Sequence, residues 1–184
     1  MAWIETILPP NATGRLSDVY DQVAGSRGKV SNILSIHSLL PETMQTHMDL
    51  YLSIMFKKTG LTRLQRELIA TAVSVSNRCD YCENHHAEAL RAYMDADQVE
   101  AFVGDLSGFE LPDEDRALVD YAIALTTRPG DAAEAWLEPL RDAGFDDSQV
   151  LAANLVVGYF NFVNRIAVGL GVVFTPEEMT GYKY

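Results

Sequence analysis

Cysteine is scarce in this chain: its 184 residues hold two. A chain of that length can bury a full core without covalent staples, so a disulfide framework is excluded as the source of its stability. Basic residues are also few. Fourteen Lys and Arg stand against 26 Asp and Glu, a formal net charge of -12, and a surface so acidic repels a phosphate backbone, which excludes nucleic acid as a partner. No alternating strand pattern of useful length and no repeat of solenoid length is present. The opening Met1-Ala2-Trp3-Ile4-Glu5 has no basic region leading into an apolar core and cleavage site, so no secretory signal is read and a cytoplasmic location is expected. The longest apolar stretch, 150–174, could span a bilayer by length, but Asn154, Asn161, Asn164 and Arg165 interrupt it. Lipid tolerates a residue such as Arg165 poorly, so a core or interface helix is expected and no membrane partner.

What the chain does contain is punctuation for helices. Thr62 with Gln65 forms a capping box ahead of Leu64, Leu68, Thr71 and Val75, which share one helical stripe. Pro41 suits the first position of a helix carrying Met44, Met48, Tyr51, Leu52 and Met55, with Gly60 as its stop; the methionines read as core. Pro112 opens another through Leu118, Ala122 and Leu125, and Gly130 closes its loop. Asp131 and Glu134 repeat the capping pattern for a helix ending at Gly144, which Pro139 would bend or split. The first dozen residues read as extended, with Pro9, Pro10 and Gly14 before the first helix, and 175–184 as a short turn and a loose end. His37 and His47 have no partner readable in the sequence and default to packing or surface roles. The expected fold is a single all-α domain over 1–184, a compact bundle of seven or eight helices joined by short loops.

The last helix, expected over 147–172, carries Asn154, Gly158, Asn161 and Arg165 as a narrow polar and small-residue stripe on an otherwise apolar cylinder. Such a stripe either packs against another helix or borders a polar site; packing or a subunit contact is the preferred reading. With 48% hydrophobic residues in the chain, part of this surface is expected to be buried in a homo-oligomer.

The chemistry gathers in Cys79-Asp80-Tyr81-Cys82-Glu83-Asn84-His85-His86. On a helix, Cys79, Cys82 and His86 share a face. Two thiols at that spacing can close a disulfide, so that a sulfur oxidised by substrate is captured before it over-oxidises. A helix N-terminus favours the thiolate, and an imidazole one turn on can take or deliver a proton near neutral pH. His85, about 100° away, reads as a rim or surface residue. Glu67 lies about 60° from the apolar stripe of its own helix, at the edge of the buried face. If helices 62–77 and 80–93 form an antiparallel hairpin about a turn at 77–79, Glu67 comes within roughly one turn of His86, in the layout of a proton relay. Pairing of Glu67 with Arg63 alone is the plainer alternative.

Glu67, Cys79, Cys82 and His86 at these spacings, with Leu64-Gln65-Arg66-Glu67-Leu68-Ile69-Ala70 and Val73-Ser74-Val75-Ser76-Asn77-Arg78 around them, resemble the core signature of the alkylhydroperoxidase D-like branch of the carboxymuconolactone decarboxylase superfamily. The signal covers 61–93; the flanking helices, including Asn161-Phe162-Val163-Asn164-Arg165, resemble the peroxidase-related members more loosely. The resemblance implies an all-α alkylhydroperoxidase D-like fold and a thiol-dependent peroxidase acting on hydrogen peroxide or organic hydroperoxides. Cys82 would be the peroxidatic cysteine, Cys79 the resolving one, and Glu67 with His86 the proton relay. It also implies a dithiol reductant such as a lipoyl protein, and a homo-oligomer, a hexamer ahead of a trimer or dimer. In better-characterised members a histidine precedes the second cysteine; here Tyr81 stands in its place, and a phenol with a pKa near 10 shuttles protons poorly at pH 7.

No haem, flavin or nicotinamide motif is visible, so no cofactor is expected. Other readings remain beside the peroxidase. A decarboxylase or lactonase of the wider superfamily would not need the cysteine pair, and a redox sensor or thiol-disulfide exchange protein would form the disulfide without turnover. Zinc could draw on Cys79, Cys82, His86 and Glu67, but three of these spread over roughly 10 Å of one helix, long for convergence on a single ion.

Overall fold

A computed structural model describes residues 2–175 and residue 178. Among the described residues 70% are helical, none lies in a strand, and nine α-helices occur. They are α1 (Arg15–Arg27), α2 (Asn32–Ser35), α3 (Pro41–Phe56), α4 (Arg63–Ser76), α5 (Asp80–Leu90), α6 (Ala96–Gly104), α7 (Asp113–Thr127), α8 (Glu138–Asp142) and α9 (Asp147–Leu170). The all-α class is as expected. The count exceeds it because two very short helices, α2 of 4 residues and α8 of 5, join seven longer ones.

The chain divides into two compact units, one formed by residues up to Ser53 with those from Arg165 onward, the other by Ile54–Asn164. In the first, Leu16, Val19, Tyr20 and Val23 form the apolar face of α1 and pack with Leu34, Met44 and Met48. The methionines of α3 are core, as their spacing indicated. Two hydrogen bonds hold the N-terminal segment: the Tyr20 hydroxyl donates to the Ile7 carbonyl at 2.6 Å, and the Ile7 N–H donates to Ser38 Oγ at 2.9 Å. Apart from a 3-10 turn at Pro9–Asn11, it is non-helical. His37 and His47 prove to be each other's partners, with His47 Nδ1 and His37 Nε2 3.0 Å apart and the rings edge to face. Most of the expected tail at 175–184 lies outside the described residues. Within it Glu178 is buried, and its carboxylate accepts from the Asn32 backbone N–H at 2.5 Å, closing the start of α2.

The second unit is organised around α4, which is buried without a break from Gln65 to Ser74. Its capping box forms as the sequence indicated, with the Gln65 N–H donating to Thr62 Oγ1 at 3.1 Å and the Thr62 N–H donating to Gln65 Oε1 at 3.0 Å. α4 packs on α5 and on α7. Gln65 donates across to the Asp115 carboxylate at 3.0 Å, and Arg66 donates to the Met55 and Lys57 carbonyls at 2.8 and 2.9 Å. The buried polar groups of this helix are thus largely paired.

The helix expected between Asp131 and Gly144 does not form as one element. The segment makes 3-10 turns at Pro129–Asp131 and Glu134–Leu137 before α8 begins at Glu138. Pro139 has no N–H for the carbonyl four residues back, so an α-helix restarts with proline in its first turn instead of running through it. Among the described residues α9 is the one helix long and apolar enough to cross a membrane, and 50% of its most apolar window is buried in the protein.

Candidate active site

The site grows from the α4–α5 hairpin. α4 ends at Ser76, and Arg78 takes φ 55, a left-handed conformation unusual for a residue with a side chain, which reverses the chain within three residues. The Cys79 N–H donates to the Ser74 carbonyl at 3.0 Å, so α5 starts against the last turn of α4. Cys79 is the N-cap of α5 and Cys82 lies in its first turn. Both cysteines are buried as free thiols, and their sulfurs are 2.7 Å apart. A disulfide needs about 2.05 Å, so closing the bond asks for little backbone movement.

At that separation the two sulfurs share a proton, and their surroundings treat them differently. The side-chain hydrogen bond with Cys82 lowers the Cys79 pKa; burial opposes this, and a hydrogen bond with the Cys82 backbone assists it. Cys82 is raised far above the ordinary thiol range by its hydrogen bond to Cys79, by burial and by the adjacent Cys79 charge, with the Asn164 side chain pulling the other way. Both shifts favour Cys79, at the helix N-terminus, over Cys82 as the sulfur that gives up its proton first.

One turn along α5, His86 Nδ1 lies 2.7 Å from Glu67 Oε2. The other oxygen of Glu67 accepts from Arg63 Nε at 2.7 Å. Glu67 thus meets both His86 and Arg63, one on each oxygen, so pairing with Arg63 is not its sole contact. Glu67 is 1% exposed, and burial alone raises a carboxyl pKa; the hydrogen bond and charge of His86 and those of Arg63 outweigh it, and the net shift is downward. Glu67 is therefore an ionised carboxylate inside the protein. The His86 ring is fixed further by an edge-on contact with Phe160, centroids 4.4 Å apart.

The four residues singled out in the sequence thus sit on one hairpin, Cys79 against Cys82 and His86 against Glu67. The sequence reading missed what surrounds them. Asn164 accepts from Asn77 Nδ2 at 3.0 Å, and Asn77 also donates to Asn161 Oδ1 at 3.1 Å. Asn164 is 1% exposed, and its amide reaches Ser74 Oγ at 3.4 Å. The polar stripe read on the last helix held Asn161 and Arg165, whereas the buried member beside the cysteines is Asn164, one position earlier and about 100° round from Arg165. A buried asparagine inside an apolar helix was the available signal.

Tyr81 is buried, its ring stacked 4.4 Å from that of His85. His85 is half-buried, which fits the rim reading over the surface one, with Nδ1 donating to the Tyr81 carbonyl at 2.8 Å. Among the described residues no three of His, Cys, Asp and Glu are grouped as metal ligands.

Residues 41–106 match the carboxymuconolactone decarboxylase family. A peroxidase-related protein of Silicibacter sp. TM1040 is 28% identical with a TM-score of 0.83, over 95% of this chain and 94% of that one. A peroxidase-related protein with an alkylhydroperoxidase core, from Ralstonia eutropha JMP134, is 25% identical with a TM-score of 0.83, over 97% and 94%. An uncharacterised protein of Bacillus subtilis strain 168, YdfG, is 26% identical over 146 residues, 77% of this chain and 96% of its own length. The family match and the all-α fold are those the hairpin signature implied.

Proposed function

We propose that this chain, which carries the carboxymuconolactone decarboxylase family segment in the fold of the peroxidase-related, alkylhydroperoxidase-like proteins, is a thiol-dependent peroxidase that reduces hydrogen peroxide or organic hydroperoxides through Cys79 and Cys82. One observation carries the reading: two buried thiols 2.7 Å apart share a hairpin with an imidazole that is held by a buried carboxylate. A packing pair of cysteines has no use for that second half.

The proposed cycle starts from a Cys79 thiolate and a Cys82 thiol, the order that the two pKa shifts favour. The Cys82 proton crosses to the Cys79 thiolate, and the Cys82 sulfur attacks the terminal oxygen of the hydroperoxide. The S–O bond forms as the O–O bond breaks, and the departing alkoxide takes a proton from protonated His86, which Glu67 holds in place. The Cys79 thiol then attacks the Cys82 sulfenic acid, and the disulfide and one water result. A dithiol, such as a lipoyl group, reduces the disulfide by exchange and returns one proton to the thiol pair and one to His86. Asn164 donates a hydrogen bond that favours the Cys82 thiolate during attack.

Assembly into a homo-oligomer belongs to the same reading. Leu151, Leu155 and Phe162 of α9 are 58%, 46% and 49% exposed, and an apolar row of this kind is normally covered.

Single-turnover oxidation of prereduced protein tests the reading, with both cysteines followed by mass and steady-state consumption then assayed with several dithiol donors. Loss of one peroxide per protein and appearance of the 79–82 disulfide are expected. Disulfide formation without catalytic turnover under any donor would point to a redox sensor, and activity surviving replacement of both cysteines to a decarboxylase or lactonase.

A further inference from the structure

Thr71 is the polar residue of α4 that the site so far leaves unused. It is 0% exposed, and its hydroxyl has no hydrogen-bond partner among the described residues. A helical threonine ordinarily has the carbonyl one turn back as an acceptor. Ser74 takes that option, donating to the Ala70 carbonyl at 2.7 Å. Thr71 does not, so its hydroxyl is held off its own helix, in a position where a buried polar group is costly.

The hairpin fixes what lies opposite. Glu67 faces His86, with 2.7 Å between carboxylate and imidazole, and Ser74 faces Cys79, with 3.0 Å between carbonyl and N–H. Thr71 follows Glu67 by four residues on α4, and Cys82 precedes His86 by four on α5. In an antiparallel hairpin equal steps in opposite directions keep residues in register, so Thr71 forms the middle rung with Cys82, about 6 Å along the axis from the relay.

We propose that the Thr71 hydroxyl binds the substrate: it donates a hydrogen bond to the peroxide oxygen that Cys82 attacks, and afterwards to that same oxygen in the Cys82 sulfenic acid. The proposal rests on the peroxidase reading and names a contact for its substrate, the O–O–H terminus that every hydroperoxide shares. Thr71 transfers no proton. It positions the terminal oxygen against the sulfur while His86 serves the leaving one, so the two oxygens of the peroxide are handled by different helices.

The test uses full-length protein with Cys79→Ser, in which the Cys82 sulfenic acid has no thiol to condense with. Its formation is timed by mass after mixing with hydrogen peroxide or cumene hydroperoxide. Adding Thr71→Val should slow formation about 10-fold or more, the range for losing one hydrogen bond to a polar reacting group, with melting temperature unchanged or raised because an unpaired buried hydroxyl is gone. Thr71→Ser, which keeps the hydroxyl, should stay within a few-fold of the parent. A Thr71→Val protein that oxidises at the parent rate overturns the role of Thr71 alone, as does a Thr71→Ser protein as slow as Thr71→Val. A Cys79→Ser parent inert to both peroxides overturns the reading of the site and this proposal with it.

Discussion

Replacing Glu67 by glutamine separates a working relay from a structural ion pair. The amide keeps the shape and removes the charge from a site that is 1% exposed. One carboxylate oxygen accepts from Arg63 at 2.7 Å and the other meets His86 at 2.7 Å. Hydrogen bonds to charged groups contribute about 1.5–3 kcal/mol, and neutral ones about half that, so the two weakened contacts cost together roughly 1.5–3 kcal/mol. At about 2–4 °C per kcal/mol for a chain of this size, the melting temperature should fall by roughly 3–12 °C near neutral pH.

The sign with pH follows from the depressed pKa of Glu67, where burial pushes upward and His86 with Arg63 push further downward. Its stabilising contribution is complete above the ordinary Glu value of 4.5 and is lost as pH falls through the lower folded value. The gap between wild type and Glu67→Gln should therefore close under acid. In the same protein the amide offers His86 the wrong mixture of donor and acceptor, and single-turnover peroxide reduction should slow by about 10²-fold or more. Differential scanning calorimetry across pH and quenched-flow oxidation are the two assays. A melting gap that persists unchanged well below the ordinary value refutes the electrostatic account; a normal oxidation rate refutes the relay while leaving the ion pair intact.

Cys82→Ser should abolish peroxide reduction, whereas Cys79→Ser should allow one stoichiometric oxidation and leave a trappable sulfenic acid on Cys82; sulfenic acid accumulating on Cys79 in Cys82→Ser at the wild-type rate reverses the roles. Because the Cys79 hydrogen bond is the largest cause raising the Cys82 pKa, Cys79→Ser should move alkylation of Cys82 by iodoacetamide to lower pH than in wild type, and a shift to higher pH would contradict the shared-proton arrangement. His47 is lowered to about 4 by burial, with His37 adding to it. The unfolded chain thus takes up its proton first, and stability should decline between about pH 6.5 and 4 by roughly 3 kcal/mol, a slope that His47→Asn should flatten in pH-stepped urea melts. Sedimentation at micromolar concentration should find an oligomer, with Leu155→Glu on the exposed row of α9 shifting it towards a 20 kDa species; a wild-type monomer would dismiss the subunit contact.

The sequence made the hairpin legible because its signals are local. The Thr62–Gln65 box, the two cysteines and the i, i+4 step from Cys82 to His86 each report on a single helix, and a short turn leaves one way to fold them together. The surroundings are non-local and were not legible. Asn164 lies 82 residues from Cys82 by number, and His37 meets His47 through a bend that periodicity does not record. Between Asp131 and Gly144 the capping pattern pointed to a helix that Pro139 would bend or split, and the split occurs; the 3-10 turns that replace its first half were not legible.

The partners of α4 tell which of its polar residues answer to the fold and which to the chemistry. A helix buried from Gln65 to Ser74 should be apolar, yet it carries Gln65, Arg66, Glu67, Thr71 and Ser74. Gln65 is matched by Asp115, Arg66 by carbonyls at the end of α3, and Ser74 by a carbonyl of its own helix. Packing and chain termination account for those three. Glu67 is matched by Arg63 and His86 at once, one partner more than an ion pair requires, and the second is an imidazole one turn from a reactive thiol. Thr71 is matched by nothing among the described residues. Stability alone would favour valine there and leucine or methionine in place of Glu67, because a buried charge seldom outperforms a well-packed apolar side chain. Of the two polar residues that stability does not require, Glu67 meets His86 and Thr71 lies one turn further along the same face of α4, the distribution expected when a substrate must be held and protonated in a buried site.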